Sequence, residues 1–315
     1  MFLERIKTLP EKMMPMTVRN RLYGEYPVIS FEIFPPKPEY PLEQLVPKIK
    51  ALSDLNPDFI SVTYGAGGSS RGRTVEIASM VQNRFNLPAL AHLTCVGSSP
   101  QEIQGILEEL EQEGVTHILS MRGDPREGGP APEEEAFRHA SDLVQFIHAS
   151  APGTFTLAGA AYPEGHAECE SLEKDIEHLK IKVDQGVDFL ITQLFFDNEI
   201  FFRFMEKIRH AGIVVPVLPG IMPVLQAKQI SRIVSLCGSS IPPKLARLLA
   251  RYEGNPEALE EAGIAFATDQ IIDLFSWGVP GIHLYTMNKP EVARRILANI
   301  GNIRSFPRRG GLSSE

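Results

Sequence analysis

The sequence predicts an α/β fold, a closed (β/α)8 TIM barrel with extra helices inserted between strands seven and eight. Three observations carry this. Eight apolar, β-branched runs each end in a polar or turn residue, the polar ends recur at a nearly constant interval, and helical patterns fill the gaps. The runs are near-continuous rather than alternating, as in a parallel sheet buried on both faces. From Glu32 to Thr63 is 31 residues, then 29 to His92, 30 to Arg122, 40 to Tyr162 and 31 to Gln193. A strand, a crossover helix and two loops need about 30 residues or more. Eight such units in series close a barrel.

The first strand, 28–34, stops at Pro35-Pro36, since neither proline can donate a ladder hydrogen bond. A helical pattern follows over 42–55. The second, 58–64, breaks at Gly65-Ala66-Gly67-Gly68 before a helix over 74–85, and the third, 88–94, precedes one over 101–113. Strand four, 116–121, runs into Arg122-Gly123-Asp124-Pro125, with a helix over 136–149 beyond. Strand five, 155–161, ends in Tyr162-Pro163-Glu164-Gly165-His166, and its helix covers 172–185. Strand six, 188–193, leads to a helix over 198–210, and the seventh and eighth strands are 214–220 and 281–286. Gly220 and Tyr285 are 65 residues apart, with helical patterns over 226–236, 243–252 and 256–277. One of these is the crossover helix and the rest an inserted layer. The chain reads as a single domain, 1–315, with 1–25 preceding the barrel and 304–315 a polar, poorly ordered tail.

A doubly wound open sheet would want a Gly-rich phosphate fingerprint after its first strand. Phe34-Pro35-Pro36-Lys37 stands there instead, and 65–70 lacks the last Gly or Ala of that pattern. The net charge of −8 and pI near 5.6 leave no basic stripe for nucleic acid. No apolar run is long enough to cross a bilayer and no signal segment opens the chain. Cys95, Cys169 and Cys237, odd in number and widely spaced, read as reduced thiols of a cytoplasmic protein.

The C-terminal strand ends of such a barrel build its active site. Glu32, Thr63, His92, Arg122, Asp124, Tyr162, His166 and Gln193 therefore face one mouth. Glu32, flanked along the chain by Phe31, Ile33 and Phe34, is placed where ionisation costs free energy, unless it is an edge-strand acid facing water. Arg122-Gly123-Asp124 suits an anionic, partly aromatic ligand, and a plain Arg–Asp loop contact suits it nearly as well. Lys182 by itself reads as part of a solvated helix face. No metal set is present, because zinc chemistry prefers closer His or Cys pairs. No Gly-x-Ser-x-Gly elbow supports serine hydrolysis.

Several segments resemble the catalytic domain of 5,10-methylenetetrahydrofolate reductases over roughly 30–297. They are Phe31-Glu32-Ile33-Phe34-Pro35-Pro36-Lys37, Val62-Thr63-Tyr64-Gly65-Ala66, Ala91-His92-Leu93-Thr94-Cys95 and Arg122-Gly123-Asp124-Pro125. Further along come Ala160-Ala161-Tyr162-Pro163-Glu164-Gly165-His166, Ile191-Thr192-Gln193-Leu194-Phe195-Phe196-Asp197, Pro219-Gly220-Ile221-Met222-Pro223 and Leu284-Tyr285-Thr286-Met287-Asn288-Lys289. The resemblance implies an FAD-binding barrel in which NAD(P)H reduces the flavin and leaves. Methylenetetrahydrofolate then takes the hydride and becomes 5-methyltetrahydrofolate, by a ping-pong mechanism. It implies Glu32 as the general acid that helps open the folate ring, with a pKa raised by its apolar neighbours. Asp124 would lie beside the flavin and contact the pterin. Thr63, Tyr64, His92, Arg122, Gly123, Ala140, Tyr162, His166, Asp175 and Lys182 match FAD-contacting positions, and Gln193, Gln229 and Lys289 match folate-contacting ones.

Four positions depart from some bacterial relatives. His139, His178 and Ile233 replace Tyr, Asn and Phe, and Lys289 replaces an Arg, keeping the charge without the bidentate fork. The first two are retained as cofactor-contacting candidates. A homo-oligomer is expected, without the C-terminal region that carries S-adenosylmethionine inhibition in eukaryotic relatives. The competing readings are a partner-dependent or non-catalytic folate- and flavin-binding subunit, served by a separate electron-transfer subunit, and a different flavin barrel of the proline dehydrogenase kind. Glu32, Asp124 and Gln193 together favour the reductase.

Overall fold

The computed structural model describes residues 17–37, 39–64, 71–124 and 136–308. The predicted stretches 1–16, 65–70, 125–135 and 309–315 lie outside them. Strands β1 (Val28–Ile33), β2 (Phe59–Val62), β3 (Ala89–Thr94), β4 (His117–Met121), β5 (Thr156–Ala161) and β6 (Phe189–Thr192) each pair in parallel with the next. The last strand, β9 (Gly281–Tyr285), pairs back onto β1. The seventh predicted strand arrives as two pieces, β7 (Val217–Leu218) and β8 (Gly220–Ile221), divided by Pro219. β7 pairs with β6 and β8 pairs with β9. Pro219 has no N–H to continue one ladder, while its carbonyl accepts from His283 N–H at 2.9 Å and begins the other. The barrel thus has the eight predicted staves, and it closes through the stave that changes partner at Pro219.

Helix α1 (Val18–Leu22) precedes β1, and α2 (Val46–Ser53), α3 (Arg71–Ser79), α4 (Pro100–Gln112), α5 (Ala140–Ser150), α6 (Leu172–Asp184) and α7 (Asn198–His210) alternate with the strands. Three helices, α8 (Ala227–Cys237), α9 (Pro243–Tyr252) and α10 (Pro256–Trp277), lie between β8 and β9, and α11 (Pro290–Asn299) and α12 (Gly301–Arg304) follow. Of the three, α10 packs between α7 and α11 and is the crossover helix, so α8 and α9 form the insert. Sequence sets the helix ends. Ser99, Ser171, Asp197 and Asn255 accept N-terminal amide hydrogens from α4, α6, α7 and α10. Gly238 and Gly278 end α8 and α10 at φ +68° and +99°, a region that suits glycine.

The pleat sorts each strand into two cores. Ile29, Phe31 and Ile33 point outward and pack in the layer under the helices. Val28, Phe59, Leu90, Leu119, Ala158 and Phe189 fill the lower barrel, where Val18 and Leu22 of α1 join them. The segment expected merely to precede the barrel is therefore, from Thr17 onward, its plug. Arg19 pairs with Asp188 at 3.1 Å, Arg21 with Asp58 at 2.8 Å, and Val18 N–H donates to His117 Nε2 at 3.3 Å. Arg308 donates to the Leu22 carbonyl, so the last described residues lie against the same helix. With the lower half filled mainly by apolar side chains, the polar strand ends gather in the upper half. Among the described residues no helix is long and apolar enough to cross a membrane.

Candidate active site at the barrel mouth

Glu32 rises from the floor of that upper half. Its register partners are Ser61 on β2 and Tyr285 on β9. One carboxylate oxygen, Oε2, lies 3.6 Å from His92 Nε2 and 3.5 Å from His283 Nε2. His283 is fully buried, and its Nδ1 is 2.8 Å from Ser30 Oγ while Nε2 is 3.3 Å from Ser61 Oγ. Its ring stacks over Phe59 at 6.2 Å, and Tyr285 meets it edge-on at 5.3 Å. Burial pushes His92 down to about 4, with Glu32 opposing and His283 adding to the shift. At neutral pH His92 is therefore uncharged, and its closeness to Glu32 is not an ion pair. The Tyr285 hydroxyl donates to the Thr192 carbonyl at 2.8 Å, and its pKa is raised first by burial and then by Glu32.

This corrects the setting read along the chain. Phe31 and Ile33 turn away from Glu32 into the outer core, and Phe34 is exposed. Two imidazoles, not three apolar side chains, are the neighbours of the carboxylate. Sequence reasoning missed Ser30, Ser61 and His283. The signal was present: Ser30 lies two residues before Glu32 on the same face, and His283 is a lone polar residue inside an apolar strand.

Beside this well, between the ends of β4 and β5 and helices α5 and α6, lies a cleft of about 540 Å³. Lys182 forms part of its wall and is not the solvated helix residue its pattern suggested. Its Nζ donates to the Ala160 carbonyl, and burial pushes its pKa down to about 8 while Asp175 opposes. Asp175 is pushed up by burial, with Lys182 pulling the other way, and its Oδ2 accepts from His166 N–H at 3.2 Å. Tyr162, raised to about 12 mainly by burial and then by Asp175, meets the His166 ring edge-on at 4.7 Å. Arg122 extends to Glu168 at 2.6 Å, so the Arg122–Asp124 contact left open by the sequence is not the one formed. Gly123 holds φ +85°, and a Cβ there would stand 2.8 Å from Thr94 Cβ. Only glycine passes that point without strain.

Ala140 begins α5 at the cleft, and the rings of His139 and His178 stack at 6.4 Å along it. Asp124 is exposed at the rim. Thr63 and Tyr64 end β2 half-buried, with Thr63 N–H donating to the Ile33 carbonyl at 3.0 Å. Gln193 Oε1 accepts from Leu194 N–H at 2.9 Å. Lys289 lies 3.8 Å from Glu260, which also holds Arg295 at 3.2 Å. Gln229 is on α8, and its side chain lies outside the described residues. Ile233, on the same helix, packs against the apolar cluster that Tyr285 and Met287 also join. The structure thus gathers Arg122, Tyr162, His166, Asp175, Lys182, Ala140, His139 and His178 at one cleft and places Glu32 with His92 in the adjoining well. Thr63, Gln193 and Lys289 stand elsewhere around the mouth.

The donor set fits an extended ligand with anionic and aromatic parts. Two cations, the first turn of a helix and stacked rings line the cleft, and the buried Ser120 Oγ on its wall has no hydrogen-bond partner. Among the described residues no three His, Cys, Asp or Glu side chains group to hold a metal ion.

Residues 17–301 match the family described as methylenetetrahydrofolate reductase. The chain is 37% identical over 273 residues to 5,10-methylenetetrahydrofolate reductase of Escherichia coli, covering 87% of this chain and 90% of that protein. It is 38% identical over 285 residues to methylenetetrahydrofolate reductase (NADH) 1 of Arabidopsis thaliana, covering 87% of this chain and 48% of the plant protein. The chain thus spans about half the length of its plant relatives. A solved structure of an uncharacterized protein from Clostridium thermocellum, described as binding two copies of 5-methyl-5,6,7,8-tetrahydrofolic acid, superposes with a TM-score of 0.67. It shares 16% identity over 91% of this chain and 98% of that one, a likeness of fold alone. With the barrel, the well around Glu32 and the match over 17–301 in place, the chain belongs to the methylenetetrahydrofolate reductase family.

Proposed function

We propose that this chain reduces 5,10-methylenetetrahydrofolate to 5-methyltetrahydrofolate, drawing electrons from NADH or NADPH through FAD held in the cleft. The observation that carries the reading is Glu32: a carboxylate fixed between two imidazoles at the floor of the mouth, beside a cleft lined by Arg122 and Lys182. Bound there, a flavin would supply the two-electron carrier that no side chain offers. Arg122 and Lys182 meet the negative charge of a dinucleotide, and the first turn of α5 at Ala140 adds the positive end of its dipole. Glu32 protonates one nitrogen of the folate's five-membered ring as the bond from that nitrogen to the bridging carbon breaks. An iminium forms at the other nitrogen. His283, held by Ser30 and Ser61, keeps the carboxyl group oriented, and neutral His92 closes its other side.

Heating the purified protein should release FAD into the supernatant. Protein that shows no flavin absorbance and does not bind FAD at micromolar concentration would overturn the reading. The nicotinamide and the folate are expected to take turns at the one mouth. Initial rates at varied concentrations of both should then give parallel double-reciprocal lines, as ping-pong turnover requires. Intersecting lines would place both substrates on the protein at once and exclude the shared site. In the same assay Gln193→Ala should raise KM for the folate more than KM for the nicotinamide, because its amide can pair with a pterin edge. An equal rise in both would remove Gln193 from substrate recognition.

A further inference from the structure

Glu164 lies in the loop after β5, between Tyr162 and His166, and reaches across to the inserted helices. Both of its carboxylate oxygens accept from the backbone N–H of Ser240, at 3.1 and 3.0 Å. The adjoining Ser239 is buried and donates its hydroxyl to the Leu194 carbonyl at 3.0 Å. Gly238 ends α8 in the left-handed region just before them. The corner 238–240 is therefore tied to two barrel loops, one running from Tyr162 to His166 and one beginning at Gln193.

Between that corner and β8, the described side chains of helix α8 lean on the barrel through apolar packing. Ile230, Ile233 and Val234 pack in a cluster with Leu194, Phe196, Tyr285 and Met287. Apolar packing is non-directional, so it holds the helix down without fixing its slide or rotation. A charge-assisted hydrogen bond is directional and short-ranged, and it fixes both. Tyr285 joins that cluster and also touches His283 beneath Glu32, so a shift of α8 reaches the well directly.

We propose that Glu164 is a positioning residue: it clamps the C-terminal end of α8 over the mouth and thereby sets the affinity for the folate without touching it. The inference rests on the reductase reading above. Removing a hydrogen bond to a charged group typically costs about tenfold or more in an equilibrium. Glu164→Ala should raise KM for methylenetetrahydrofolate by about that factor, while the KM for nicotinamide and FAD retention change by less than about threefold. Glu164→Gln keeps an acceptor oxygen and should restore most of the loss. Ser239→Ala, which removes the neighbouring tie, should shift the folate KM in the same direction by less.

Hydrogen exchange over 227–240, measured on the flavin-loaded protein, gives a readout independent of turnover. Exchange should rise in Glu164→Ala and return toward wild type in Glu164→Gln. Unchanged exchange, or loss of FAD in step with the folate effect, overturns the clamp. The latter would mean that Glu164 acts through the Tyr162–His166 loop alone. A wild-type protein that fails to reduce methylenetetrahydrofolate, with exchange still rising in Glu164→Ala, overturns the substrate reading and supports the mechanical tie.

Discussion

Glu32→Gln is expected to slow oxidation of the reduced flavin by methylenetetrahydrofolate about 10²–10⁴-fold, the range typical of general acid catalysis, with reduction by the nicotinamide nearly unchanged. Only the folate half-reaction needs a proton delivered to a ring nitrogen, and an amide has none to give. Glutamine is close to glutamate in size and can still meet His92 and His283, so packing of the well is preserved. Anaerobic stopped-flow separates the two half-reactions and checks this directly. Equal loss in both would make Glu32 a structural residue, and a loss of only a few-fold in the folate step would remove it as the acid.

Acidification is expected to destabilise the fold steeply between pH 6.5 and 4, through two buried histidines. Burial pushes both His92 and His117 from 6.5 down to about 4. Between these values the unfolded chain binds protons that the folded chain refuses. Stability is therefore fully present above 6.5 and is lost as pH falls toward 4. Displacement from 6.5 to about 4 corresponds to about 3 kcal/mol for each group, a large part of a marginal total. His117 has a structural reason to stay neutral. Its Nε2 accepts the Val18 N–H, and protonation would remove the acceptor that seats α1 in the barrel floor. Urea unfolding at pH 7 and 4.5 tests the point with His117→Gln, whose amide oxygen can still accept. The stability lost between the two pH values should be about 2 kcal/mol smaller than in wild type. Equal losses in both proteins would show that His117 does not titrate as its burial demands.

The repeating interval from Glu32 to Gln193 was enough to read the barrel, because a parallel unit of strand, helix and loops has a nearly fixed length and leaves both faces of the strand apolar. The same pattern placed polar residues at strand ends and so pointed to the mouth. The helical patterns over 198–210, 243–252 and 256–277 coincide with α7, α9 and α10, since helical periodicity acts within a few residues along the chain. Local chemistry was legible because its causes are local.

What surrounds a side chain is a different matter. The pleat turns Phe31 and Ile33 away from Glu32, and the partners that replace them, His92 and His283, come from strands 60 and 251 residues further along. Lys182 looked like a solvated residue on its own helix, yet closure of the barrel presses it against the Ala160 carbonyl and buries it. Arg122 chose Glu168 over the nearer Asp124 because the loop after β5 brings Glu168 to it. Which of α8, α9 and α10 completes the ring depended on packing between α7 and α11, to which helical periodicity is blind. The sequence by itself determined the elements, their order and the end of the barrel at which polar groups gather. Tertiary structure alone decided which of those groups meet, because burial and electrostatic contact depend on distance through space, and closing a barrel brings together residues that the chain keeps far apart.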